Sequence, residues 1–363
     1  ASLARSQLTE YFFLVNYGNA PPNPELAQDA RKNIDRSLSL TPDSAVAHLA
    51  LGEWHSWTNR DYPAAIAEFQ RAITLDPHLS DAVTRMAGVA MRQGRPELAV
   101  EQLRAALPIN PRDVITYRTL GGALQMQRKF TAAGESYAKA VAIDPNNLND
   151  IINQTMNSLR LGDLDRAERT LESYPPAQRS NSDYVETRLM LLARKRDFHG
   201  MDDLVKNAPP TAFLSEWDRL MALAQIAEGL GQGEIARNLF SEARLAVTAA
   251  IGKNPDDSAN HRVLASLNAR LDRPEEAINE AQTALRLSEQ TGNFFVISPA
   301  QVSLAAVYAR LGRSDDAFPI LERLASMPSG FFIWPDALRS DPDWDRIRSD
   351  PRFEKTVAAF TPE

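Results

Sequence analysis

The 363-residue chain has no cysteine, which excludes disulfides, thiolate metal sites and cysteine nucleophiles. That lack suits a bacterial periplasm as well as a cytoplasm. No run approaches the roughly 18 apolar residues of a membrane-spanning helix. There is no phosphate-cradling glycine loop, no Gly-x-Ser-x-Gly elbow and no His-Glu-x-x-His pair. No catalytic residue, cofactor or metal site is therefore expected. Basic residues are outnumbered, 40 against 47 acidic, and a net charge of −7 gives no general attraction for phosphate backbones. Nucleic acid is not expected as a partner, nor is direct insertion into a membrane. The start, Ala1-Ser2-Leu3-Ala4-Arg5, has neither an initiator methionine nor a signal-peptide layout, as expected of a piece cut from a longer chain.

What the chain does have is a period. Pro77, Pro111 and Pro145 stand 34 residues apart, each closing a stretch with the same pattern of small and large apolar residues. One unit runs Tyr117, Leu120-Gly121, Leu124, Ala133, Tyr137, Ala140, Pro145. Its predecessor runs Met86-Ala87, Ala90, Gly94, Ala99, Leu103, Ala106, Pro111. Before that come Leu51-Gly52, His55, Ala65, Phe69, Ala72, Pro77, with one residue inserted near the helix turn. Apolar positions at i, i+3, i+4 and i+7 put one stripe on each of two helices. Alanines let the pair approach closely while Leu103 or Tyr137 fills the gap, and Asp-Pro pairs stop one helix before the next unit begins. A helix pair of this size cannot bury its own apolar face, so units must stack.

These residues resemble the tetratricopeptide repeat family, closely over 43–145 and more loosely across 3–328. The resemblance implies an all-α, right-handed α-α superhelical solenoid of about nine helical hairpins, with a concave groove lined by first helices. A first unit is expected to begin with a helix over 3–17, followed by a long loop at 19–24. Residues 1–174 form the well-matched half, 175–212 a degenerate middle suited to a bend, and 213–328 a second half whose seventh unit has a lengthened second helix. His48 and His55 fall in slots of large aromatic residues and read as packing, with metal binding second.

Residues 329–363 break the pattern with Phe331, Phe332, Trp334, Asp341-Pro342, Trp344, Asp350-Pro351, Phe353 and Phe360. Asp-Pro pairs start helices, so two short helices are expected near Pro342 and Pro351. Covering the open end of the last repeat is the favoured role, ahead of an aromatic docking site. The run from Leu338 to Phe353 resembles the ending of C-terminal repeat arrays in bacterial multidomain signalling proteins built around kinase, cyclase or winged-helix modules. Such a setting favours the periplasm, in a membrane-tethered protein, over the cytoplasm.

By the resemblance, positions 2, 5, 9 and 12 of each first helix face the groove. They supply Thr84 and Gly88 in the third unit, Arg118, Gly122 and Gln125 in the fourth, and Asn149, Ile152 and Met156 in the fifth. Asn153 lies one turn from Asn149. Equivalent glycines at 88 and 122 fit either a need for room on the groove floor or drift in a tolerant scaffold. Arginine with asparagine suits carboxylates and extended peptide backbone. Thr84 and Gly88 stand where the carboxylate clamp of chaperone-binding relatives requires Lys and Asn, which disfavours a chaperone tail. The expected function is a non-catalytic protein- or peptide-binding sensor or scaffold module of a bacterial signalling protein. The alternatives are a structural scaffold of an envelope or secretion assembly, and the regulatory arm of an enzyme.

Overall fold

The computed structural model describes residues 24–361 together with 1, 2, 4, 5 and 7, and among these every regular element is helical. The expected helix over 3–17 and loop at 19–24 fall almost wholly outside the described residues. Helix α1 (Pro24–Leu40) is followed by α2 (Ala45–Trp54) with α3 (Tyr62–Leu75), α4 (Ser80–Arg92) with α5 (Pro96–Ala106), and α6 (Val114–Met126) with α7 (Phe130–Ile143). Next come α8 (Leu148–Arg160) with α9 (Leu164–Glu172) and α10 (Ser182–Arg194) with α11 (Phe198–Asn207). The series closes with α12 (Glu216–Gly229) and α13 (Gly233–Lys253), α14 (Ser258–Arg270) and α15 (Pro274–Glu289), and α16 (Phe294–Arg310) and α17 (Ser314–Ala325). Helices α2 and α3, α4 and α5, α8 and α9, α10 and α11, α12 and α13, α14 and α15, and α16 and α17 pack as pairs, so the described residues form stacked hairpins.

The alanine and aromatic slots account for the close pairing. Ala99, Leu103 and Ala106 are sealed in one hairpin, and Ala133, Tyr137 and Ala140 in the next. Gly52 is glycine because a Cβ there would lie 2.5 Å from the Phe69 ring, which fills the gap between α2 and α3. The residue inserted in that hairpin is absorbed as a π-helical turn, His55–Asn59, ended by Arg60 at a φ of 54°. Helix α9 stops early before Pro175-Pro176, whereas α13 runs for 21 residues.

The chain divides into two compact units, Ala1–Ala123 and Leu124–Glu363. In the first, Leu49, Tyr62, Phe69, Ala82 and Val89 form a core between successive hairpins. In the second, residues 175–212 carry the hairpin of α10 and α11. The core there runs from Ile151, Leu171 and Tyr184 to Ala305, Phe318 and Leu321. The C-terminal segment holds α18 (Pro335–Ser340), a 3₁₀ helix (Pro342–Ile347) and α19 (Arg352–Ala359). The Asp341 carboxylate caps the 3₁₀ helix by accepting from Asp343 N at 2.9 Å. Helix α18 was not foreseen, because Trp334-Pro335 lacks the Asp-Pro signature. Trp344, Ile347, Phe353, Val357 and Phe360 join the core of α16 and α17.

Candidate binding surface

The anticipated groove positions separate by burial. In the first unit Thr84 lies inside the stack: its hydroxyl is 2.9 Å from Thr116 Oγ1, which donates to Asp113 Oδ2 at 2.7 Å. Thr116 spends its single proton on Asp113, so Thr84 is the donor between the two threonines. Gly122 is buried, while Gly88 and Arg118 are half-buried. Among the described residues a Cβ on Gly88 would meet only Arg92 Nη1, at 3.4 Å.

In the second unit Gln125 is also interior. Its Nε2 donates to Asn157 Oδ1 at 3.0 Å and its Oε1 accepts from the Tyr137 hydroxyl at 3.0 Å. Asn157 Nδ2 in turn donates to Phe130 O at 2.9 Å, which ties α6, α7 and α8 together. Asn149 is exposed on α8, with Ile152, Asn153 and Met156 half-buried. Ile152 and Met156 rest against the cluster holding Tyr184 and Leu191. Thr84, Gly122 and Gln125 thus support the stack from inside, and the other six reach its surface.

Two features escaped the sequence reading. His48 Nδ1 lies 2.6 Å from Glu68 Oε2 and its Nε2 lies 3.0 Å from Pro42 O. His261 repeats this with Glu280 Oε2 at 2.5 Å and Pro255 O at 2.9 Å. Each ring joins the second helix of its own hairpin to the loop before it, a role the aromatic slot alone does not reveal.

The second feature is a row of arginines one residue beyond position 12. Arg160, Arg194, Arg270 and Arg310 each end a first helix, where a cation also suits the helix dipole. The C-terminal segment lies along this row. Arg160 Nη2 donates to Phe331 O at 3.0 Å, and its guanidinium faces the rings of Phe331 and Trp334 at 5.1 and 5.2 Å. Arg194 pairs with Asp336, donates to Ser340 Oγ at 2.8 Å and also faces Trp334. Arg270 and Arg310 both reach Asp343 Oδ1 at 2.8 Å and share Glu228 of α12. Arg128, in the turn after α6, reaches Leu324 O, Met327 O and Ser329 Oγ at 2.8–3.0 Å. Burial pulls the Arg128 and Arg160 guanidiniums down to about 10. Phe331 and Phe332 pack against Phe295 of α16, closing the segment over on its other side.

Profiles described as tetratricopeptide repeat match residues 26–80, 56–124 and 222–290. Over those residues the chain matches the tetratricopeptide repeat. A curated relative, small glutamine-rich tetratricopeptide repeat-containing protein 2 of Mycosarcoma maydis, is 32% identical over 88 residues. That match takes in 24% of this chain and 25% of the relative, so the chain spans about a quarter of the curated protein's length. Among solved structures, yeast Tom70 is similar over 88% of this chain and 67% of its own, at a TM-score of 0.55 and 18% identity. A tetratricopeptide repeat protein from Parabacteroides merdae is similar over 72% of this chain and 98% of its own, at 0.49 and 12%. At these identities the likeness concerns the fold. Tetratricopeptide repeats are protein-interaction scaffolds, and among the described residues no helix is long and apolar enough to cross a membrane.

Proposed function

We propose that the chain is a non-catalytic interaction module of a bacterial signalling or regulatory protein, which holds protein or peptide segments on the exposed sides of its first helices. The observation that carries this reading is the face of α8. Asn149 and Asn153 offer amide donors and acceptors beside the apolar Ile152 and Met156, and none of the four is fully buried. Paired amides next to apolar side chains suit an extended backbone whose side chains alternate between solvent and protein. Gly88 and Arg118 offer the first unit a hollow and a cation, and Thr84, Gly122 and Gln125 fix the helices from behind. The bacterial signalling setting draws its support from the Asp-Pro-x-Trp and Asp-Pro-x-Phe run at the C-terminus.

The test is a peptide-array screen with the full chain, followed by titration of the retained peptides. Ile152→Asp with Asn153→Ala, or Arg118→Glu, is expected to weaken the retained peptides at least tenfold while the helical circular dichroism stays unchanged. Undiminished binding in every variant contradicts the assignment.

A further inference from the structure

Residues 329–340 enter the C-terminal core through Ile333 and Leu338, and also turn Phe331, Trp334 and Asp336 to arginines. From Trp344 to Phe360 the segment is buried as core against α16 and α17. Between Ser329 and Ser340 it also reaches α6, α8 and α10, through hydrogen bonds, an ion pair and cation-aromatic contacts. Gly330 N donates to Met126 O at 3.3 Å, and a Cβ on Gly330 would lie 2.2 Å from Gln125 O. Only glycine fits against that backbone. Trp334 is extended, with φ −148° and ψ 161°. Residues 335–340 then form α18, and the arginines hold the strap through one main-chain carbonyl, aromatic faces and one carboxylate.

The match is incomplete in a telling way. Arg160 is only 8% exposed, yet its acceptor is a carbonyl, and among the described residues its Nε has no acceptor. Arg128 also relies on neutral oxygens and leaves its Nε unmatched. A guanidinium taken from water is best compensated by a carboxylate. The strap supplies one to Arg194, through Asp336, and none to Arg128 or Arg160.

We propose that Arg128, Arg160 and Arg194 form an exchangeable binding surface for a partner protein's segment that carries aromatic side chains and carboxylates, and that residues 329–340 are its built-in occupant. The proposal rests on the interaction reading above and adds the chemistry of the segment. Cation-aromatic contacts and an arginine–carboxylate pair tolerate many sequences, so a partner offering a second carboxylate outcompetes the strap. Tethering at Ala325 and Trp344 keeps the strap at high local concentration, so it excludes weak ligands.

The test uses the full chain and a labelled synthetic peptide of residues 329–340. Gly330→Ala forces the strap off its seat and is expected to bind the peptide at least tenfold tighter than the unaltered chain. Adding Arg160→Gln or Arg194→Gln removes the gain, and Asp336→Asn in the peptide weakens it severalfold. Folded Gly330→Ala protein that binds no better than the unaltered chain overturns the proposal. A gain that ignores both arginines overturns it too. Amide exchange on the unaltered chain decides the matter if Gly330→Ala fails to fold: residues 330–340 are expected to exchange at least tenfold faster than 353–360, and equal rates overturn the idea. If the strap peptide fails while screened peptides still depend on Ile152 and Asn153, this proposal falls and the interaction reading stands.

Discussion

Two glycines in equivalent-looking helices give opposite predictions. Gly52 faces the Phe69 ring, which is 1% exposed and has nowhere to go, so a methyl there overpacks the hairpin. Gly52→Ala is expected to lower stability by about 1–3 kcal/mol in urea denaturation, although alanine is the better helix former. At Gly88 the only neighbour is the end of a flexible arginine, so Gly88→Ala is expected to raise stability by about 0.5–1 kcal/mol through helix propensity. Equal and same-signed effects contradict the placement of both. The first glycine was legible in the sequence as part of a Leu-Gly pair. The interior roles of Thr84 and Gln125 were not, because helical register tells which face a residue occupies and not whether the next hairpin covers it.

At the scale of helices, ion pairs join successive hairpins. The Lys195 ammonium, with Arg188 beside it, holds the Glu168 carboxyl below the usual carboxylate range and links α9 to α10 and its following turn. A depressed carboxylate contributes stability above its unfolded value and loses it as pH falls through the folded one. Glu168→Gln is therefore expected to cost about 0.5–1 kcal/mol at pH 7, modest because the carboxylate is partly in water. The difference from the unaltered chain should shrink as pH falls through the lowered folded-state value and vanish once both states are protonated. Thermal melts of both proteins across that range check it, and a difference independent of pH contradicts it. Most helices were legible because prolines, alanines and aromatic slots recur at short range. Helix α18 was not, since its reasons lie in α8 and α10, far away in the chain.

On the scale of the molecule, the period predicts stacking and the stacking predicts a scaffold, but the C-terminus carries an instruction no period contains. Phe331 and Trp334 were legible as aromatic residues that must be covered, and Asp336 was not singled out. Arg160 and Arg194, 34 residues apart, escaped that reading, and only the fold brings the two sets together. The end of the chain therefore both completes the core beside α17 and occupies the inner ends of first helices in the second unit.

Because the native chain has no cysteine, that occupation can be measured directly. Cysteines at Arg194 and Asp336 in an otherwise cysteine-free full chain are expected to be joined rapidly by a short bifunctional thiol reagent. A control pair at Arg194 and the exposed Leu245 is expected to stay open. Rapid, selective joining of positions 194 and 336 is the predicted result, and equal yields for the two pairs would contradict the account.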